Sequence, residues 1–251
     1  TELEVVNPHP GPDYYIDLVR RSITARTKLL SFTHQTNTVG DLFPAKELCQ
    51  LAHEHGVLVL VDGAQSFGLM DVNLSDMQPD FYTGSAHKWP CGPKETGVLF
   101  INNRAHDRIW PSIHSAGRGD VGISRTFESF GQRDEPAIIA FGEALKFQQQ
   151  IGMKTIQARS QELAQSLMEQ LKTIEGVTLT TSQDPTLSQA VVVFEATGID
   201  ARKMYNALYD NEKIGTAGRA NGLRISPHFY NLHSEIDRTV AAIKHYMTTG
   251  V

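Results

Sequence analysis

The sequence is poor in cysteine, and this scarcity excludes two ways of stabilising a fold. Its 251 residues contain two cysteines, Cys49 and Cys91. Two cysteines supply neither a disulfide framework nor the ligand set of a structural zinc site. We therefore expect no metal site, and a fold that depends on its own apolar core.

The sequence also lacks a large charge of one sign and a long hydrophobic run. It carries 23 basic and 28 acidic residues, and this formal net charge of −5 gives no reason to expect a nucleic acid as a partner. No apolar run approaches the roughly 20 residues that span a bilayer, so we expect a soluble chain without a membrane partner. The chain opens at Thr1 without a signal peptide and resembles the middle of a protein, so the default expectation is the cytoplasm, with periplasmic export left open.

What the sequence does have is one informative stretch, from Leu58 to Lys88. The apolar run 57–61 is typical of a parallel strand that is covered on both faces. Asp62 follows it directly, at the carboxyl edge where open α/β sheets bind ligands. Gln65 lies in the next turn, and a second predicted strand leads to Lys88. The alternative interpretation of Asp62 is a solvated turn residue or a helix cap.

An acid, an amide and a lysine at neighbouring strand ends suit pyridoxal 5'-phosphate (PLP). The cofactor aldehyde forms a Schiff base with a lysine, and a carboxylate keeps the pyridine nitrogen protonated so that the ring acts as an electron sink. We expect Gly63 and Ala64 to let the flat ring approach the backbone. Gln65 can donate a hydrogen bond to the ring oxygen.

The strings DGAQ, SAHKW and GPKETGVLF resemble those of the class V aminotransferase family, which has PLP fold type I. That family includes cysteine desulfurases, isopenicillin N epimerases and related lyases. The resemblance implies that Lys88 is the Schiff-base lysine and that Asp62 contacts the pyridine nitrogen. It implies Gln65 on the ring hydroxyl, and Ser85 and His87 near the phosphate, with His87 also a candidate catalytic group.

Two further cofactor-binding residues rest on this resemblance. Asn37, in THQTNTVG, is expected near the cofactor ring or the substrate carboxylate, and the alternative is a plain loop asparagine. The segment 112–131 is predicted as a long loop that helps to form the substrate pocket. It ends in a stretch that resembles the family's contact with the partner subunit's phosphate site. Gln132 stands where the family usually has threonine, and it can still donate a hydrogen bond. The resemblance implies a homodimer in which residues cross into the partner's site.

The substrate-binding candidates lie in GLRISPHFYN. The family resemblance makes Arg224 the clamp for the substrate α-carboxylate, which a planar guanidinium fork matches bidentately. The alternative is a surface arginine. His228 and Tyr230 belong to a motif of the isopenicillin N epimerase-like branch and are expected to line the pocket. No cysteine follows Cys91, which argues against the persulfide chemistry of cysteine desulfurases.

The expected fold is α/β, with a mostly parallel mixed sheet, helices on both faces and a smaller C-terminal α+β domain. Residues 1–150 are interpreted as the C-terminal part of the large PLP-binding domain and 151–251 as the small domain. The resemblance places the family's phosphate-binding loop upstream of this chain. Strands are predicted at 28–33, 57–61, 97–102, 177–181, 190–194 and 223–226. The main helices are predicted at 13–22, 44–56, 135–174 with a break near Gly152, 200–211 and 234–247.

The function predicted from these features is a PLP-dependent reaction on an amino-acid substrate. A Lys88 Schiff base, Cα deprotonation and carbanion chemistry lead to an aminotransferase or a C–S/β-lyase. Two alternatives stay open: an amino-acid epimerase of the isopenicillin N epimerase type, and a catalytically inactive scaffold that keeps the family fold.

Overall fold

The fold consists of two four-stranded sheets and the helices that cover them. The computed structural model describes residues 1–3, 9, 11–113, 123–128, 131–219 and 222–251. No helix in these ranges has the length and apolarity needed to cross a bilayer. The elements are α1 (Pro12–Ser22), β1 (Leu29–Thr33), α2 (Ala45–Glu54), β2 (Leu58–Asp62), α3 (Leu74–Met77), β3 (Phe81–Ser85), β4 (Gly97–Ile101), a 3-10 helix (Asn103–Arg108), α4 (Ser124–Glu128), α5 (Glu135–Ile151), α6 (Met153–Leu171), β5 (Val177–Leu179), β6 (Val192–Ala196), α7 (Ala201–Asp210), β7 (Ala217–Gly218), β8 (Gly222–Ile225) and α8 (His233–Thr249).

The first sheet has the strand order β1-β2-β3-β4. The pairs β1–β2 and β2–β3 are parallel, and β4 is antiparallel to β3. This arrangement confirms the predicted mixed sheet. Because β1, β2 and β3 run in the same direction, their carboxyl ends and the loops that follow lie at one edge.

The two faces of the first sheet are buried to different degrees. Val59 and Val61 of β2 are fully buried against α2, in a cluster that includes Cys49 and Ala52. On the opposite face, Leu58 and Leu60 are half-buried, and Leu29 and Leu99 on the outer strands are 49% and 52% exposed. The run 57–61 is therefore less covered than its apolar character predicts, because α1 and α2 both pack on the Val59 face.

The second sheet has the order β5-β6-β8-β7, and all its pairs are antiparallel. It shares a core with α6, α7 and α8, around Phe194, Leu163 and Ile243. The predicted strands are confirmed with shifted ends, whereas the two-residue β7 has no apolar pattern that would predict it. The helical region breaks at Gly152, as predicted, with φ 90°. The domain division at residue 150 stays a prediction.

The loop after β1, residues 34–42, joins the two sheets. Leu42 N–H donates to the Leu187 carbonyl at 2.9 Å, and Thr181 Oγ1 donates to the Val39 carbonyl at 2.7 Å. Gly40 has φ +85°, and a Cβ there would lie 2.3 Å from the Val191 oxygen, so only glycine fits. This junction brings the second sheet to the carboxyl edge of the first.

Candidate active site

The predicted cofactor residues lie on three loops at the carboxyl edge of the first sheet. Asp62 ends β2 and pairs in register with Thr83 of β3, so the chain segments that carry Asp62 and Lys88 leave adjacent parallel strands. Asn37 follows β1 in the same way. The three loops carry, in chain order, Asn37; Asp62 and Gln65; and Ser85, His87 and Lys88.

Asp62 is exposed, and one of its carboxylate oxygens is already engaged. Oδ1 accepts the backbone N–H of Ala64 at 2.9 Å, which is the geometry of an Asx turn. Oδ2 has no hydrogen-bond partner among the described residues. The turn interpretation therefore applies to Oδ1, whereas a cofactor contact of the available Oδ2 stays a prediction.

Gly63 has a packing role in the core of the first sheet. A Cβ at Gly63 would lie 2.1 Å from Cζ and 2.2 Å from the hydroxyl of Tyr82. Tyr82 is buried, and its hydroxyl lies 2.9 Å from Ser66 Oγ. The missing side chain thus makes room for a core tyrosine. The approach of a cofactor ring to the backbone of Gly63 and Ala64 stays a prediction.

Gln65 links the second loop to the third. It is buried, and its Oε1 accepts the indole N–H of Trp89 at 3.1 Å. Trp89 can only donate, so this contact fixes the orientation of the amide. The amide NH2 has no acceptor in the described part of the chain and can donate to a ligand.

Lys88 is half-buried, and its side-chain amine forms no hydrogen bond or ion pair with a described residue. Its neighbour Trp89 holds the loop in place, because the Trp89 carbonyl accepts Gln148 Nε2 at 2.8 Å and His228 Nε2 at 2.9 Å. Ser85 is half-buried and His87 is exposed. The side chains of these two residues have no hydrogen-bond partner within the described ranges.

His228 is buried, and both of its ring nitrogens bond to the backbone. Nδ1 accepts the Phe229 N–H at 3.0 Å, so Nε2 carries the proton that is donated to Trp89. Burial lowers the pKa of His228, which agrees with this neutral form. Tyr230 is 62% exposed and stacks on the imidazole with ring centroids 4.4 Å apart. His228 therefore packs against the lysine loop, and substrate contact by Tyr230 stays a prediction.

Arg224 lies on β8 and reaches the loop after β1. Its Nη1 lies 3.4 Å from the backbone carbonyl of Asn37, a residue 187 positions earlier. Burial, and then the positive charge of Arg219, lower the pKa of Arg224. Arg224 is thus half-buried at the junction of the two sheets, and the surface-arginine alternative does not describe it.

Two residues that the sequence interpretation missed belong to this region. His34 is buried at the end of β1, its backbone N–H donates to the Asp62 carbonyl at 2.8 Å, and its Nδ1 has no partner among the described residues. Burial lowers its pKa to about 4. Arg219 Nη2 donates to the Asn37 carbonyl at 2.5 Å. The place of His34 directly after a strand, like that of Asp62, was the available signal for it.

The structure does not bring Gln132 to the other candidates. Gln132 is exposed, just before α5, and its side chain contacts none of them in the described structure. Most of the predicted loop 112–131 lies outside the described residues. Within it, α4 forms a short helix. The contribution of this segment to a pocket stays a prediction.

Comparisons with known proteins identify the family and the fold of the chain. The family model for aminotransferase class-V matches residues 1–239. The chain is 32% identical over 258 residues to isopenicillin N epimerase of Amycolatopsis lactamdurans, covering 95% of this chain and 65% of that protein. It is similar to the structure of apo cysteine desulfurase from Thermococcus onnurineus NA1, with a TM-score of 0.83, 25% identity, and coverage of 93% and 63% of the two chains.

A third similarity concerns a mutant of C-DES with glycine covalently linked to its PLP cofactor. The TM-score is 0.85 at 21% identity, with 91% of this chain and 63% of that chain covered, and this likeness shows the fold alone. This chain spans 65% and 60% of the lengths of the first two curated relatives, both isopenicillin N epimerases. The fold is that of PLP fold type I, and the match over residues 1–239 shows that the chain belongs to the aminotransferase class-V family.

Proposed function

We propose that the protein is a PLP-dependent enzyme that acts on an amino acid, with Lys88 as the residue that holds the cofactor. One observation carries the proposal. Asp62, Gln65 and Lys88 lie on neighbouring loops at one strand edge, each with a polar group that has no partner among the described residues. Arg224 reaches the same edge from the second sheet.

The chemistry of these side chains fits the cofactor. Oδ2 of Asp62 is an acceptor suited to a protonated pyridine nitrogen, and the amide of Gln65 is a donor suited to a ring oxygen. Lys88 offers a primary amine on a loop that Gln148 and His228 fix through Trp89. Ser85 and His87 are positioned after β3 to contribute near a phosphate.

In this proposal each residue has a distinct task. When bound, the cofactor supplies an electron sink for negative charge that develops at the substrate Cα. Lys88 holds the cofactor through Nζ and, when free, accepts the Cα proton at the same atom. Asp62 keeps the pyridine nitrogen protonated. Arg224 orients the substrate by its α-carboxylate.

The fate of the Cα carbanion separates the candidate reactions. We rank an aminotransferase or a C–S/β-lyase first and an amino-acid epimerase second. The observation that supports the epimerase is the likeness to isopenicillin N epimerase. Persulfide chemistry is disfavoured. Cys49 is fully buried, and burial raises the pKa of Cys91, whose Sγ lies 3.7 Å from the neutral His228 ring. An inactive scaffold is the remaining alternative.

We also propose a homodimer. Helix α5 exposes the large apolar side chains of Ile139 (67%) and Phe147 (51%), and the segment after the 3-10 helix exposes Trp110 (81%) and Ile113 (57%). Patches of this kind mark association surfaces. Gln132 lies just before the same helix and has no contact with the other candidates of its own chain, which suits a contact in the partner's site.

The test compares two lysine variants of the full-length protein. Lys88→Ala should abolish the yellow colour of the bound cofactor and the exchange of the substrate Cα hydrogen with deuterium in solvent. Lys94→Ala is the matched control, since Lys94 is exposed in the following turn. A keto acid without release of ammonia would indicate transamination, a keto acid with release of ammonia and of the β-substituent would indicate a β-lyase, and inverted amino acid would indicate epimerisation. Unchanged colour and exchange in Lys88→Ala would refute the proposal.

A further inference from the structure

Two arginines lie side by side at the junction of the sheets. Ala217 pairs with Arg224 across the β7–β8 hairpin, and Arg219 N–H donates to the Gly222 carbonyl at 2.8 Å. In an antiparallel pair, this register places Arg219 and Arg224 diagonally on the same face. Both guanidinium groups then converge on the carbonyl oxygen of Asn37, at 2.5 Å and 3.4 Å.

This pair has no salt-bridge partner in the described part of the chain. Neither arginine forms an ion pair with a described acidic residue, although acidic residues outnumber basic ones, 28 to 23. Their shared acceptor is a neutral backbone carbonyl. Two adjacent positive charges repel each other, and partial burial strengthens that repulsion.

Both arginines also keep an unsatisfied donor. The Nε–H groups of Arg219 and Arg224 are buried and have no acceptor among the described residues. Buried donors without partners are rare in folded proteins, and an ion or ligand that binds beside them can supply the acceptor. Guanidinium groups bind carboxylates with two parallel hydrogen bonds, so each arginine can take one carboxylate.

We propose that Arg219 is a second anion-binding residue of the substrate site, and that the substrates are amino acids with two acidic groups. Arg224 holds the α-carboxylate and Arg219 holds the second acidic group. A single carboxylate would neutralise one of the two charges and leave the other guanidinium unpaired. This inference rests on the proposed function for its site and goes beyond it in naming the substrate class.

The experiment measures binding of two unreactive acids to the full-length, cofactor-loaded protein by titration calorimetry. Succinate and butyrate have the same number of carbons, but only succinate carries two carboxylates. We expect succinate to bind about tenfold more tightly, since a charge-assisted contact of this kind is worth roughly that factor or more. Arg219→Gln should remove the preference for succinate. The Kd of butyrate should stay within about twofold of the wild-type value, a change too small to reflect the loss of a charged contact. Arg224→Gln should weaken both acids.

Two controls keep the result interpretable. Arg219→Lys retains the charge and should keep part of the preference, even if Arg219→Gln is poorly folded. Arg26→Gln removes an exposed arginine in the turn after α1 and should change neither affinity. Equal affinity of the wild-type protein for both acids, or equal weakening of both by Arg219→Gln, would overturn the inference. Neither acid has an amine, so that outcome would leave the role of Lys88 untouched.

Discussion

At the scale of the residue, His34 shows how burial sets the ionisation of a single group. Its ring is buried beside the strand end that carries Asp62, and its pKa falls to about 4. In the unfolded chain the His34 ring binds a proton near pH 6.5, whereas in the folded chain the same ring binds it only near pH 4. The folded state is therefore destabilised as the pH falls through this window.

The first prediction follows from that difference. The free energy of unfolding should fall by roughly 3 kcal/mol between pH 6.5 and pH 4 because of His34. Urea titrations at a series of pH values measure it. His34→Gln should flatten the dependence in this window, whereas His55→Gln, which changes an exposed histidine, should not. If the free energy of unfolding depends on pH with the same slope in His34→Gln and in the wild type, the pH dependence does not come from His34.

A second prediction at this scale concerns Gly63. Gly63→Ala places a Cβ against the buried ring of Tyr82, so it should lower the free energy of unfolding by about 2 kcal/mol or more. Gly142→Ala is the control, because Gly142 lies inside α5 with no neighbour within 4 Å and the substitution should stabilise the helix by about 0.5–1 kcal/mol. Thermal or urea unfolding distinguishes the two. A neutral Gly63→Ala would show that Tyr82 can move aside.

At the scale of the element, Asp80 holds the start of β3 to its neighbours. It is fully buried, and it accepts the Val59 N–H at 2.7 Å, His53 Nε2 at 2.9 Å and Arg104 Nε at 2.7 Å. Burial alone would raise the pKa of Asp80, but these hydrogen bonds outweigh it and the pKa lies below the ordinary value. One carboxylate thus joins α2, β2, β3 and the 3-10 helix.

We predict that Asp80→Asn lowers the free energy of unfolding by about 3 kcal/mol, since it leaves Arg104 without its buried charged partner. Asp76→Asn removes an exposed ion pair with Lys46 and should cost less than about 1 kcal/mol. Chemical unfolding at neutral pH measures both. Similar small effects of the two substitutions would mean that the Asp80 network does not stabilise the fold.

The secondary-structure elements also show which parts of the fold and of the candidate site can be predicted from local sequence patterns. The apolar run before Asp62 predicts β2, and the parallel direction of the strands then places the loops of Asp62 and Lys88 at one edge. Contacts between distant segments do not follow from such local patterns. Nothing near Asn37 indicates that its carbonyl meets Arg224, and nothing near Gly63 indicates Tyr82, because both contacts depend on tertiary packing.

At the scale of the whole molecule, the loop after β1 and the Trp89 carbonyl connect the two sheets. The first brings Arg224 to the strand edge, and the second fixes the lysine loop through His228. Helix α5 carries the proposed association surface, because it exposes apolar residues and begins just after Gln132. In the described part of the chain, the proposed site therefore lies between the two sheets, and the proposed association surface lies on α5.

The association surface gives a further prediction. Ile139→Glu places a charge in the exposed apolar patch of α5 and should shift the full-length protein from dimer toward monomer in sedimentation velocity. Tyr209→Glu changes a residue on α7 that is similarly exposed, at 60%, and should leave the mass unchanged. A dimer that survives Ile139→Glu with unaltered affinity would place the interface elsewhere.

The most direct test of the proposed active site is to identify the lysine that carries the cofactor. Full-length protein loaded with PLP is reduced with borohydride, digested and mapped by mass spectrometry. We predict a pyridoxyl group on Lys88 and none on the nearby Lys94. A label on another lysine, or no label in a protein that binds the cofactor, would contradict the claim that the strand edge beside Asp62 is the active site.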